Sequence, residues 1–357
     1  MNHLEIISDI LRRDVLQMTS AAGSGHPTSC FSCAEIMSVL FFSEMNYNKK
    51  NPFNYDNDEF ILSKGHAAPI LYASLKRAGM IDGDIMTLRK LGCKFEGHPV
   101  PGSLPWIKVA TGSLGQGLSI GVGMALVAKK QKRNYRTFVL IGDSELAEGS
   151  NFEALQIGSE YNLDNLIAIV DVNRLGQRGK TLLGHDMDAY RKRFEGFGWD
   201  ISLINGHNVN DIIKAIRKKR NRPSIIFAKT IKGRGFSFFE NKDNWHGKTL
   251  DSKQLKIALE TVKENKMPSF SVEKPHKMNI VINKKKLNYN FYNKGDLIST
   301  REAYGTILAR IAQADKNVIV LDAEVSNSTF TDKVKEKTPD QFVECYIAEQ
   351  NMIGMAL

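Results

Sequence analysis

The stretch TFVLIGDSELAEGSNFEALQIGSEYNLDNLIAIVDVNRLGQR, residues 137–178, constrains this chain more than any other. A first apolar run, 138–141, stops at Gly142-Asp143. A segment of helical period follows over 149–161, and a second apolar run, 166–170, leads to Asp171-Val172-Asn173. Two short apolar runs flanking an amphipathic helix predict a βαβ unit, whose right-handed crossover lays the strands side by side and parallel. Asp143 and Asn173 then emerge together at the carboxyl ends of neighbouring strands, where open α/β sheets bind ligands. A carboxylate and an amide oxygen there suit a small hard cation such as Mg²⁺, which keeps few protein ligands and takes its remaining oxygens from a phosphate. The same two residues equally suit an Asp capping the next helix and an Asn in a turn. Spacing alone leaves both open.

Loops rich in glycine and histidine flank that unit. AAGSGHPTS follows a helix predicted over 4–20, SKGHAAPILYA follows a strand predicted over 59–62, and FEGHPVPG precedes TGSLGQGL. Any one loop histidine reads as solvent-exposed. Yet His26, His66 and His98 each stand directly after a glycine at a turn, and a shared polar cavity explains three of them better than packing does. In TGSLGQGLSIGVGMALVAKK, Gly112, Gly115 and Gly117 open a helix. That half suits a phosphate or a flat ring approaching backbone N–H groups, whereas Gly121 and Gly123 suit close helix packing. Strands predicted over 199–204 and 224–228 flank a helix over 209–219, and AKTIKGRGFSFFENKDNWHGK then carries Lys232 and His246. Together these elements predict a doubly wound, mostly parallel α/β sheet.

GDSELAEGSNFEAL followed by NLIAIVDVNRLGQ resembles the thiamine diphosphate motif of the transketolase family. SGHPTS, TGSLGQGL, KGRG with WHGK, STREAYG, NSTF and ECYIAEQNM resemble further stretches of that family, so the resemblance runs along essentially the whole chain. It implies a thiamine diphosphate-binding fold with Mg²⁺ (or Ca²⁺ or Mn²⁺) held by Asp143, the Asn173 side chain and the Leu175 carbonyl. It assigns cofactor contacts to Ser29, His66, Gly112, Ser113, Leu114, Ser144, Asn173, Lys232 and His246. Substrate contacts fall to His26, His98 and His246, with Arg301 and Ser328 on the phosphate end of a sugar phosphate, as an Arg and a hydroxyl suit a dianion. Glu349 is the implied cofactor-activating acid, and His26, His66, His98 and His246 the implied proton-handling groups. The implied activity is transketolase: reversible transfer of a two-carbon ketol unit from a ketose phosphate to an aldose phosphate through the cofactor's ylid. The implied assembly is a homodimer with the site between subunits, where Glu148 faces the partner. Alternatives are 1-deoxyxylulose-5-phosphate synthase, which shares fold and cofactor, and a non-catalytic homologue. One position departs from the pattern, for the family has GDG where this chain has Ser144. A β-carbon there is either tolerated or crowds the diphosphate.

A chain of 357 residues predicts two domains. The expected division is a diphosphate-binding domain over 1–265, a linker over 266–296 rich in Lys, Asn and Pro, and the start of a pyrimidine-binding domain over 297–357. That second part opens with a capping-box pattern at Ser299-Thr300-Arg301-Glu302 and a strand over 318–321. In the family more of that domain, and another, would follow, so the chain reads as an N-terminal portion with weak cofactor binding and negligible turnover of its own. No internal repeat is detectable. Cys30 and Cys33 form a C-x-x-C, but FSCAEIMSVLFF reads as a buried helix and no histidine cluster completes a zinc set, so core thiols in a reducing, cytoplasmic compartment are expected. The formal charge of +10 would attract nucleic acid or phosphorylated small molecules. Its lysines and arginines are scattered without interleaved aromatics, so phosphorylated substrates are expected and nucleic acid is not. No run of about 18 apolar residues predicts a membrane span.

Overall fold

The computed structural model describes residues 2–262, 264–277, 286, 287 and 292–357. Five strands form its main sheet: β1 (Glu59–Leu62), β2 (Thr137–Gly142), β3 (Leu166–Val172), β4 (Asp200–Asn205) and β5 (Ser224–Lys229). All pair in parallel in the order β1-β2-β3-β5-β4. Every residue of β2 and β3 is buried, because helices cover both faces of a parallel sheet. That is why these two strands read as unbroken apolar runs rather than as alternation.

The two faces belong to different cores. Phe138, Leu140, Ile167 and Ile169 pack with the helices His3–Ala22, Pro27–Ser32 and Ala34–Val39. Val139, Ile141, Ala168, Val170 and Val172 pack with the helices Gln116–Lys130 and Gly149–Glu160. The buried helix expected across FSCAEIMSVLFF, within residues 30–45, is not continuous. It breaks at Cys33 (φ −105°, ψ 14°) and ends in a π-helical turn, Leu40–Glu44. Just before the break, Ser32 Oγ donates to Asp171 Oδ2 at 2.6 Å, so a buried charge holds the first piece in place. Cys30 and Cys33 are buried free thiols, and burial pushes both above the ordinary thiol range.

A smaller unit follows, with the helix Thr300–Ala314 and a parallel strand pair, β6 (Val320–Asp322) and β7 (Phe342–Glu344). Ser299 Oγ accepts the Glu302 N–H at 3.2 Å, as the capping pattern predicts. Glu349 does not lie at a strand end: residues 345–348 separate it from β7, and it is the first residue of the helix Glu349–Ala356. That helix docks on Gln116–Lys130. A β-carbon at Gly123 would lie 2.3 Å from the Met355 carbonyl oxygen, and one at Gly354 would lie 2.5 Å from Ser119 Cβ. Gly121 instead lies against Val139 of the sheet.

Of the expected linker, residues 278–285 and 288–291 lie outside the described residues. Its first part packs on the larger unit. Phe270 meets Phe42 at 4.8 Å between ring centroids, and Met267 and Val272 join the same core. Among the described residues no helix is long and apolar enough to cross a membrane.

Candidate functional site

The carboxyl ends of β1, β2, β3 and β5 open toward one place. In the sheet register Gly142 stands opposite Asp171, and Asp171 opposite Ala228. The residues that follow each strand therefore leave the sheet side by side. Asp143 accepts the Arg174 N–H at 2.7 Å and the Thr181 hydroxyl at 3.2 Å, which ties the end of β2 to the turn after β3. Arg174 takes a left-handed conformation in that turn (φ 67°). Asn173 Oδ1 accepts the Leu175 N–H at 3.2 Å, and its amide nitrogen donates to Asp171 at 3.1 Å. Asp143 is thus tied to the turn that carries Asn173 and Leu175.

Above this turn stand three imidazoles. Ring centroids lie 5.2 Å apart for His26 and His66, 4.8 Å for His26 and His246, and 5.2 Å for His66 and His246. His98 lies close enough to His26 to act on its charge, and its ring packs on Gly112, where a β-carbon would come within 3.0 Å of it. Lys232 is buried; its ammonium donates to the Leu175 and Gly176 carbonyls at 2.8 and 2.9 Å and contacts His246 Nδ1 at 3.0 Å. Loops separated by more than two hundred positions in the chain meet here.

Their electrostatics follow from burial among positive charges. Burial, reinforced by Arg89 and by His98, holds His26 down at about 4. Burial and then Lys232 hold His246 at about 3, and burial with Lys64 keeps His66 well below its ordinary value. His98 is lowered by burial and Arg89. All four imidazoles are neutral at pH 7, each with one donor nitrogen and one acceptor. Burial, with Lys64 next, lowers Lys232 to about 8. Asp143 goes the other way, pushed up to about 6 by burial and by the neighbouring Asp171 charge.

Three groups that sequence reading passed over hold the site together. Asp171 is fully buried and ion-paired to the equally buried Lys64; it also accepts from Ser32, Thr230 and Asn173. Lys64 donates in addition to the Ser29 carbonyl at 2.9 Å. Glu145 joins three loops: it accepts the Gly115 N–H at 2.9 Å, the Gly142 N–H at 3.0 Å and the Ser63 hydroxyl. A signal for Asp171 was present, because a carboxylate inside the apolar run LIAIVDV demands a buried partner.

Of the remaining predicted positions, Ser29 is buried at the start of the Pro27–Ser32 helix, Gly112 and Leu114 are half-buried, and Ser113 and Ser144 are exposed. Ser144 has φ −65° and ψ −37°, an ordinary conformation for a residue with a side chain. Arg301 and Ser328 are exposed neighbours in the smaller unit, with Arg301 Nη1 donating to the Ser328 carbonyl at 3.4 Å. Glu349 is exposed on that unit. Among the described residues no hydrogen bond or ion pair joins Arg301, Ser328 or Glu349 to the histidine cluster.

The residues present fit a metal-bridged diphosphate. Asp143, the Asn173 amide and the Leu175 carbonyl are hard oxygen donors, and Asp143 is a buried carboxylate without a cationic partner among the described residues. Close backbone approaches line the same place: a β-carbon on Gly65 would lie 2.7 Å from the Thr111 carbonyl carbon. Two buried polar atoms there, His26 Nδ1 and Thr111 Oγ1, have no hydrogen-bond partner among the described residues.

Comparison with known proteins bears on the family and the fold. Residues 4–293 match the family described as transketolase, thiamine diphosphate binding domain, and residues 296–357 match transketolase, pyrimidine binding domain. Human transketolase is 45% identical over 354 residues, covering 97% of this chain and 57% of its own length. Mouse transketolase-like protein 2 is 46% identical over 368 residues, covering 99% of this chain and 58% of its own length. Among solved structures, transketolase from Campylobacter jejuni superposes with a TM-score of 0.87 at 28% identity, over 99% of this chain and 63% of that one. The chain spans somewhat more than half the length of the curated relatives it matches. On its sequence and its fold, this chain belongs to the transketolase family.

Proposed function

We propose that the protein carrying this chain is a thiamine diphosphate-dependent transketolase, moving a two-carbon ketol unit from a ketose phosphate to an aldose phosphate. The observation that carries the reading is the cage of His26, His66, His246 and Lys232 over the Asp143–Asn173–Leu175 turn. The buried Asp143 carboxyl, pushed up to about 6 by burial and by Asp171, supports this reading, since a bound cation would favour its ionised form and the neutral imidazoles add no competing charge.

In this reading Asp143, Asn173 and the Leu175 carbonyl hold Mg²⁺, with Ca²⁺ or Mn²⁺ as substitutes of the same oxygen-seeking class. Ser29, His66, Gly112, Ser113, Leu114, Ser144, Lys232 and His246 receive the cofactor. When bound, thiamine diphosphate supplies the electron sink for breaking a carbon–carbon bond next to a carbonyl. His26, His98 and His246 orient the sugar; as neutral imidazoles they accept a hydroxyl proton at one nitrogen and donate from the other. Arg301 and Ser328 take the substrate phosphate, for which Arg301 offers a planar pair of donors. Glu349 serves a site shared between two subunits of a homodimer, where its exposed carboxylate meets the partner's cofactor. Such an activity belongs to the cytoplasmic pentose phosphate pathway.

Calorimetric titration of thiamine diphosphate, with and without Mg²⁺, tests the reading. Metal-dependent binding that disappears in Asp143→Ala is the expected result. Binding indifferent to both Mg²⁺ and Asp143 would overturn it. Release of an aldose phosphate from a ketose phosphate only on addition of an aldose acceptor is the matching activity measurement.

A further inference from the structure

The segment carrying Lys232 and His246 leaves β5 through the Thr230–Ile231 peptide group. Past the end of the strand that peptide has no ladder partner, yet both its polar atoms are held. The Thr230 carbonyl accepts from His185 Nε2 at 2.8 Å, and the Ile231 N–H donates to His207 Nε2 at 2.8 Å. The two rings therefore work with opposite polarity, one presenting an N–H and the other a bare nitrogen.

Buried chemistry sets the second of these. An imidazole that accepts at Nε2 carries its proton on Nδ1, and His207 Nδ1 donates to Glu35 at 3.0 Å. Glu35 in turn accepts from Arg12 Nη2 at 2.6 and 2.7 Å, and Arg12 also donates to the Phe31 carbonyl at 3.1 Å. Arg12 and Glu35 are almost wholly buried side chains, so water does not compete for the bonds between them, while His207 is part-buried beside them. Local backbone fits the arrangement. A β-carbon on Gly206 would lie 2.4 Å from Thr230 Cγ2, so only glycine lets His207 come this close. Gly184 precedes His185 in a left-handed conformation (φ 54°). Neither histidine belongs to the cage.

We propose that His185 and His207 are positioning residues, a two-sided clamp on the Thr230–Ile231 peptide that sets where Lys232 and His246 stand. Lys232 is the next residue along, and its ammonium reaches both the Leu175 carbonyl and His246. The clamp also joins the two loops that the turn needs. His185 lies in the loop that follows the Asp143–Arg174 contact, while Glu35 and Arg12 come from the helices on the opposite face of the sheet. For its consequence, though not for the clamp itself, the proposal rests on the cofactor reading above.

The test is hydrogen exchange of the Ile231 amide and of segment 232–247, together with thiamine diphosphate titration in Mg²⁺ on the same proteins. His207→Phe keeps a ring but removes the acceptor, whereas His207→Gln keeps one donor and one acceptor at similar spacing. The Phe variant should exchange at least about tenfold faster at Ile231 and through 232–247, with β2 and β3 unchanged, because a part-buried N–H has lost its partner. Its cofactor affinity should fall about tenfold, and the Gln variant should restore both to within about threefold. Should His207→Phe not fold, His185→Phe removes the other jaw and should loosen the same segment. Unchanged exchange, exchange raised uniformly along the chain, or failure of Gln to restore protection would overturn the clamp. The expected exchange pattern in a protein that binds no thiamine diphosphate would keep the clamp and overturn the cofactor reading.

Discussion

Two aspartates stand at the ends of neighbouring strands, and the protein treats them differently. Asp171, at the end of β3, is fully buried and carries an ion pair with Lys64 plus bonds from Ser32, Thr230 and Asn173. Burial alone would raise it, but the Lys64 charge and the hydrogen bonds from Lys64, Ser32 and Thr230 together hold it below the ordinary carboxylate range. Asp143, just past β2, is nearly as buried and receives only neutral donors, so it sits at about 6. Completing a charge inside the protein makes structure; leaving one incomplete makes a place for a ligand that brings the missing charge. The difference separates scaffold from site within a few ångströms.

Removing the completed pair's cation should have the largest effect. Lys64→Met leaves Asp171 ionised and unpaired in the interior, which costs roughly 3–5 kcal/mol. Denaturant unfolding measures it. Adding Asp171→Leu to Lys64→Met should recover part of that loss, since it removes the unpaired charge but leaves the Ser32, Thr230 and Asn173 donors without their acceptor. A single Lys64→Met that unfolds like the unsubstituted chain would erase the distinction between the two aspartates.

The incomplete carboxylate should behave in the opposite way. Asp143→Asn removes a buried charge that has no ion pair among the described residues, so stability without ligand should hold or rise slightly, by up to about 1 kcal/mol. Metal-dependent cofactor binding should fall at least about 100-fold, in the range expected when a metal site loses a ligand or its support. Unfolding and titration on the same variant decide it, and loss of both stability and binding would place Asp143 with Asp171 as scaffold.

Acidity sharpens the contrast without mutation. The folded value for Asp143 lies above its unfolded one, so its contribution to stability is present below about pH 4 and is lost as pH rises through about 6. A metal needs the ionised form, so Mg²⁺-dependent affinity should drop by up to tenfold per pH unit below about 6. His26 and His246 work in the reverse sense. Their folded values of about 4 and 3 lie below the unfolded one, so their contribution is present above about pH 6.5 and is lost as pH falls through those values. Thermal unfolding between pH 3 and 8, compared with Asp143→Asn, separates the two terms.

Much of this site is legible in the sequence, for reasons that also explain the gaps. β2 and β3 announced themselves as apolar runs because both faces of each are covered, and the turns after them were readable because Gly142-Asp143 and Val172-Asn173 end those runs abruptly. His26, His66 and His98 stood out through the glycines before them. The same signal precedes His185 and His207, but neither lies near a recognisable motif, and what they hold is a peptide group with no side chain of its own to read. Lys64 was hidden inside the SKGH motif, beside the histidine that drew notice. Its pairing with Asp171 spans 107 positions, which no local pattern encodes. The kink at Cys33 was unreadable for a related reason, since Ser32 there answers a charge on a distant strand.

The smallest expected effect concerns the residue between site and scaffold. Ser144 follows Asp143 and precedes Glu145, which ties Gly115, Gly142 and Ser63 together. Its backbone conformation lies in the right-handed helical region, so a side chain is no burden there, and glycine would only add freedom to the unfolded chain. Ser144→Gly should therefore lower stability by about 0.5–1 kcal/mol. The Ser144 side chain is exposed and its hydroxyl lies toward Gly176, where a β-carbon would stand 3.1 Å away. Its backbone N–H already turns inward, donating to Asp143 Oδ1 at 2.9 Å. A diphosphate approaching that N–H meets backbone rather than hydroxyl, so affinity for thiamine diphosphate should change by less than about threefold. A gain of tenfold or more on Ser144→Gly would show that the side chain does crowd the phosphate. The contrast between a finished Asp171 and an open Asp143 would then have to include a third residue that partly closes the open one.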